Sequence, residues 1–257
     1  MMNAATIEWS IVLPALVAGL LVSASHVPLG TQVLARGIVF IDIAIAQIAG
    51  VGVIAGDMLG LDAHGAAVQV SALSAALVGA LLLTWTERRW PAVQEAIIGV
   101  VFVLAATLEI MLLAGNPQAG EHLKDLLVGQ ILWVSGAQLG VVAVLTALIL
   151  SAWFGVGSRR LGRTGFYLLF GLSVTASVQL VGVYLVFATL IVPALATREA
   201  GPKRQLFLAY GVSGVGYAAG LVLSSIFDLP SGAVIVWTMV VAGILVHWLT
   251  GRKSVPA

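Results

Sequence analysis

The sequence predicts an all-α polytopic membrane protein of about nine transmembrane helices, and three observations carry that reading. The first is the length of the apolar runs. Residues 66–84, 95–114, 206–226 and 232–250 each reach or approach the ~20 residues that cross a bilayer as a helix. The second is the scarcity of charge. Only 9% of the 257 residues are charged and 60% are hydrophobic, where ordinary soluble domains are roughly 25% charged. The third is where the charge falls. Of 12 Lys and Arg, all but Lys124 lie in segments that one alternating topology places on a single side, and a short-loop bias of this kind sets orientation. No ten-residue alternating pattern repeats, which excludes a transmembrane barrel.

Helix 1 is expected at about 8–25, with Pro14 near its start. No Lys or Arg precedes Arg36 and no small-residue cleavage site stands out, so it reads as a retained helix and not a signal peptide. Residues 26–37 are expected as a turn built on Pro28 and Gly30, with His26 at its start and Arg36 near its end. Helix 2 follows at about 38–56, then an acidic loop at 57–65, helix 3 at 66–84, a basic loop holding Arg88 and Arg89, and helix 4 at about 95–114. The connection 115–129 is polar, then amphipathic. A short interfacial helix near 122–134 followed by a span at 137–154 fits the length of that region.

The next loop, GVGSRRLGRTG, holds Arg159, Arg160 and Arg163. Residues 166–197 are too long for one helix and short for two, and they end in a second basic loop at 198–205. Two basic loops on one side require an even number of crossings between them. The segment is therefore split at about Gln179–Gly182 into helices 6 and 7, whose Gly and Ser allow close backbone approach. Helices 8 (206–226) and 9 (232–250) complete a single transmembrane domain over 1–257. The N-terminus falls outside and the C-terminus on the cytoplasmic side, with eight to ten spans compatible with the run lengths. Six of the 11 acids lie on the outer side: Glu8, Asp57, Asp62, Glu121, Asp125 and Asp228. His64 and His122 join them there.

Two carboxylates lie inside apolar spans, and such residues are costly and often functional. Asp42 shares helix 2 with Gln47, five positions on, so the two do not share one face cleanly. Asp42 and Gln47 read either as cation-contacting positions on a permeation path or as interhelical anchors. Glu109 in helix 4 reads either as a second pathway acid or as a residue reaching the outer interface. His247, beside Trp248, reads as an interfacial anchor, and Pro193 either as a kink near the inner end of helix 7 or as a tolerated membrane proline. There is no cysteine, so thiolate metal sites are excluded. No phosphate-binding GxxxxGK[ST], HExxH or GxSxG pattern is present, so ATP hydrolysis, metalloprotease and lipase chemistry lack their usual residues. The chain is not expected to be an enzyme or to hold a cofactor. A channel, an ion-coupled secondary carrier, the membrane half of a larger pump and a non-transporting membrane subunit remain open on these grounds.

Four blocks together resemble the permease subunits of bacterial zinc/manganese-type metal ABC importers, a family that includes high-affinity zinc-uptake permeases. They are PLGTQVLARGIVFIDIAIAQIAGVGVIAG, VQEAIIGVVFVLA, LVGQILWVSGAQL, and QLVGVYLVFATLIVPALATRE with SSIFDLPSGAVIV. Their order and spacing match over most of the chain. The resemblance implies an inner-membrane permease homodimer, with cytoplasmic ATPase subunits that hydrolyse ATP and a periplasmic or extracellular metal-binding protein. It implies import of a divalent metal, zinc or manganese, and no nucleic-acid partner. Asp42 then becomes a metal-facing residue, with Gln47 and Glu109 as further pathway candidates. The chain departs from the pattern where members carry a His four residues after the aspartate, here Ala46, and where Gly-Asp is usual, here Gly129–Gln130. The family's ATPase-coupling helix falls in the loop of Arg159, Arg160 and Arg163, which here is short and too rich in Gly for a good helix.

Overall fold

The computed structural model describes residues 8–61, 65–114 and 127–251. Within them lie nine α-helices: α1 (Trp9–Arg36), α2 (Ile41–Met58), α3 (Ala66–Arg89), α4 (Gln94–Leu113), α5 (Gly136–Leu150), α6 (Ser158–Val181), α7 (Val183–Ala196), α8 (Pro202–Phe227) and α9 (Ser231–Gly251). A turn of π-helix, Ser151–Val156, extends α5. Eight of the helical segments are long and apolar enough to cross a membrane, and α7, with 14 residues, is shorter. Asp62, His64, Glu121, His122, Lys124 and Asp125, expected on the outer side, lie outside the described residues, as do Arg252 and Lys253 of the tail. Of the interfacial helix expected near 122–134, the described part is broken at Gly129 and resumes as one 3-10 turn, Ile131–Trp133.

The largest correction concerns 26–37. The expected turn is helix: α1 runs unbroken for 28 residues through Pro14 and Pro28 and ends where Gly37 takes a left-handed cap. Proline costs a helix because it cannot donate to the carbonyl four residues earlier. Here that carbonyl, on Ala24, accepts instead from the Tyr210 hydroxyl of α8 at 2.9 Å. Gly30 is explained by packing. A side chain there would strike the Leu190 backbone of α7. Pro28 and Gly30 thus fit α1 to its neighbours, and α1 packs against α5, α6, α7 and α8 at the centre of the bundle.

Buried hydroxyls tie this centre together. Ser23 pairs with Ser213 at 2.6 Å, Ser173 donates to Ser25 at 2.9 Å, and Thr189 pairs with Tyr217 at 2.9 Å. Interhelical hydrogen bonds of this kind average about 0.6 kcal/mol each in membrane bundles. The outer faces are apolar: Val103, Leu104, Met111 and Ile244 are all exposed, which suits lipid and not water.

The two ends of the bundle are built differently. At one end Gly129 (φ 70) and Gly182 (φ 81, ψ 162) bring their backbones into direct contact, and Gly232 packs on the Val128 carbonyl. The α6–α7 break expected at 179–182 is at Gly182, because that backbone conformation is essentially confined to glycine. At the other end charged side chains meet. The Arg36 guanidinium lies 4.1 Å from the Phe166 ring centroid. Arg88 donates to Thr164 at 2.6 Å, and Arg163 lies 4.0 Å from Glu87. The Phe40 amide donates to Glu95 at 3.1 Å. Helix 3 is five residues longer than expected, so Glu87, Arg88 and Arg89 are helical. The segment expected as a poor helix at 155–165 is also largely helical. A first turn from Ser158 is interrupted only at Gly162 (φ 63, ψ −165).

Candidate functional site

The helical period of four elements converges on one groove. From α2 come Ile43 and Gln47, spaced i, i+4. From α4 come Phe102, Ala106 and Glu109, at i, i+4 and i+7. The short helix α7 supplies Val183, Phe187 and Val192, and α9 supplies Val236 and Val240. On α2, α4 and α9 these spacings put each set on one helix face. The groove has a volume of about 780 Å³. Its rim residues Tyr184 and Trp237 are well exposed, so it opens at the side of the bundle.

Among the described residues, Glu109 is the one acidic residue lining this apolar groove and Gln47 the one amide. Glu109 is only 2% exposed, and its Oε1 is buried with no hydrogen-bond partner among the described residues. It therefore does not reach out to an interface. A carboxylate that is buried and not fully paired is costly, and an oxygen without a partner among the described residues is chemically suited to bind a cation. Gln47 adds an amide oxygen, a neutral and weaker donor.

Asp42 stands elsewhere. It is 0% exposed, neither carboxylate oxygen has a hydrogen-bond partner among the described residues, and it does not line the groove. Ala46, one turn on, is buried on the same side of α2. The five-residue offset read from sequence thus separates Gln47, in the groove, from Asp42, behind it. Among the described residues no group of three His, Asp or Glu is gathered closely enough to hold a metal ion.

Below the groove a second hollow of about 340 Å³ shares Val192 and Val240 with it and ends at Arg198 and His247. Arg160 and Arg163 are exposed at the charged end, with Arg163 turned toward Glu87. The backbone of Arg159 is in the first turn of α6.

Sequence reasoning missed two polar features. His26 is not a turn residue; it is fully buried in α1. Its Nδ1 lies 3.0 Å from the Val22 carbonyl. A carbonyl only accepts, so that nitrogen carries the proton. Nε2 is left as a buried lone pair with no partner among the described residues. The second feature is the cluster of Arg36, Glu87, Gln94 and Tyr167 at the charged end, where Gln94 donates to the Leu83 carbonyl at 3.0 Å and to the Tyr167 hydroxyl at 3.4 Å. The Pro-Leu-Gly sequence hid the first. The second was dispersed over four helices, and only the run of Arg and Glu near 87–95 hinted at it.

Comparison with known proteins places these elements among relatives. The model of the ABC 3 transport family matches residues 8–161 and 155–250. The chain is similar to the manganese transport system membrane protein MntC of Halalkalibacterium halodurans, at 27% identity over 252 residues, covering 90% of this chain and 84% of the relative. It is similar to the high-affinity zinc uptake system membrane protein ZnuB of Haemophilus influenzae, at 23% identity over 249 residues, covering 89% and 93%. Its fold is that of a chain in the structure of PsaBC from Streptococcus pneumoniae in complex with Fab, with a TM-score of 0.76, 20% identity and 96% of each chain covered.

Proposed function

The chain belongs to the ABC 3 transport family, and from that premise we propose that it is the membrane permease subunit of an importer for a divalent metal, zinc or manganese. The relatives named for manganese and zinc transport support the cargo. A separate ATPase supplies the energy, since this sequence carries no phosphate-binding loop. A metal-binding protein delivers the ion on the outer side. The excess of Lys and Arg supports a cytoplasmic C-terminus and an inner-membrane location.

The single observation that carries this reading is the side-opening groove with the buried Glu109 carboxylate in its wall. In a twofold homodimer the same surface meets itself. Two grooves joined in this way would bring two Glu109 carboxylates toward a common axis. Their combined charge matches a divalent cation, and without one they repel each other. Two Gln47 amides add neutral oxygens. Asp42, a core carboxylate with neither oxygen paired, is retained as a pathway residue that reaches the ion in another conformation. Arg159, Arg160 and Arg163 are assigned to the ATPase-facing surface.

The test is metal uptake into vesicles holding this chain, its ATPase and the binding protein. The expected result is uptake that needs all three and ATP. Glu109→Gln is expected to reduce uptake about tenfold, the equivalent of ~1.4 kcal/mol, with the assembled complex intact. Uptake that ignores ATP and collapses with the proton gradient would overturn the reading in favour of an ion-coupled carrier. Normal uptake by Glu109→Gln would remove that residue from the path.

A further inference from the structure

We propose that Glu87 exchanges ion-pair partners during the transport cycle, closing on Arg163 in one state and on Arg36 in another. This exchange links the ATPase-facing segment to the helix that lines the groove. The inference rests on the proposed function above.

The geometry is that of a pairing left incomplete on both sides. Glu87 ends α3 with its side chain 13% exposed, and its Oε1 lies 4.0 Å from Arg163 Nε, the long limit of an ion pair. Its Oε2 is buried with no hydrogen-bond partner among the described residues. Arg36 ends α1 with its guanidinium over Phe166, and its Nη1 is likewise buried without a hydrogen-bond partner. Tyr167, next in sequence to Phe166, lies within electrostatic reach of both Glu87 and Arg36, and its hydroxyl is close enough to the Glu87 side chain to share a hydrogen bond with it. Glu87 and Arg36 are each partly buried, each has a buried side-chain atom without a hydrogen-bond partner among the described residues, and both lie within reach of Tyr167, so the two charges are favourable together. The present partner of Glu87 is easily given up, because Arg163 is 53% exposed and water screens the pair.

The other groups facing the cluster do not fill these vacancies. Gln94 is engaged by the Leu83 carbonyl and the Tyr167 hydroxyl. Glu95 holds the Phe40 amide with one oxygen, and its other oxygen is buried without a hydrogen-bond partner among the described residues. Arg88 is engaged by Thr164. The exchange therefore concerns Glu87 and the two arginines on either side of it.

The positions give the exchange a direction. Arg163 follows the break at Gly162, on the segment whose Arg160 is exposed where a partner subunit would press. Arg36 precedes the short turn into α2, which carries Gln47 into the groove. Glu87 belongs to α3, which packs on both α2 and α6. Small shifts of packed helices between two discrete arrangements are a common switching mode, and a residue that both segments compete for is such a two-state element. Glu87 and Arg36 are positioning residues; neither touches the ion.

The chain contains no cysteine, so engineered pairs report without background. In the assembled complex with its ATPase and binding protein, Glu87→Cys with Arg163→Cys and Glu87→Cys with Arg36→Cys are to be cross-linked without nucleotide and with ATP plus vanadate. The two pairs are expected to respond in opposite directions. Glu87→Gln, close in shape and able to fold where cysteine pairs fail, is expected to keep ATP hydrolysis while metal moved per ATP falls about fivefold or more. Glu87→Asp should recover most of that ratio, and the exchange Glu87→Arg with Arg36→Glu part of it. A structural role alone would lower hydrolysis and uptake together. Cross-links indifferent to nucleotide, or an unchanged metal-to-ATP ratio in Glu87→Gln, would overturn the exchange while leaving the parent's ATP-driven uptake standing. A parent complex that moves no metal with ATP would remove the proposed function and this inference with it.

Discussion

The glycine end and the charged end close the bundle by opposite means. At the glycine end the contact is backbone on backbone, between Gly129 and Gly182 and between Gly232 and the Val128 carbonyl. Nothing can rotate out of the way there, and no side chain can be added. At the charged end the contacts run through long side chains, among them Arg88 with Thr164 and Arg163 with Glu87. Such contacts can be broken and remade by rotamer changes without moving the helices apart. The comparison teaches where rigidity and adjustability lie. The glycine end fixes helix positions, and the charged end is where motion imposed from outside is absorbed or passed on.

The strongest way to break this contrast is at Gly182. Gly182→Ala forces an alanine into a conformation essentially confined to glycine and into the Gly129 backbone. The expected loss is roughly 3 kcal/mol or more, read as a large fall in detergent melting temperature or failure to assemble. Gly201→Ala is its control, since an added methyl there meets nothing within 4 Å and the backbone is ordinary. A Gly182→Ala protein as stable as the Gly201→Ala protein would show that the backbone contact is dispensable. Between the two ends, Tyr210→Phe removes the hydroxyl that serves the proline-freed Ala24 carbonyl. The expected cost is about 1–2 kcal/mol, by the same melting measurement, and the added change Pro28→Ala should recover much of it by restoring the backbone donor. At the charged end Thr164→Val removes an exposed contact with Arg88 and should move stability by no more than about 0.5 kcal/mol. A loss there as large as that at Gly182 would mean that the charged end is as rigid as the other.

The fold was legible wherever hydrophobic length or charge decided it. The spans, the basic segments gathered at one end and the split near Gly182 all followed from runs of Leu, Val and Ala and from the placement of arginines. Pro28 misled because a proline followed by leucine and glycine is a turn in water. In a membrane bundle a neighbouring hydroxyl can replace the missing donor, and Tyr210 is 182 residues away in sequence. The candidate site was legible in part. Gln47 and Glu109 stood out as polar residues in apolar spans, but their meeting in one groove depends on how α2 and α4 are rotated. That rotation also takes Asp42 out of the groove lining. The surroundings of Glu87 were barely legible, because the run of Arg and Glu near 87–95 reads as a loop until α1 and α6 are placed against it.

The brevity of α7 has a consequence for any ion that passes beside it. Its 14 residues rise about 21 Å at 1.5 Å each, while the hydrocarbon core of a bilayer is about 30 Å thick. About 9 Å of that thickness is then met by protein other than this helix, and both of its ends are buried: Val183 is 2% exposed and Thr197 1%. The two helix termini therefore lie inside the bundle beside the groove, where the partial charges of their backbone groups act with little screening by water.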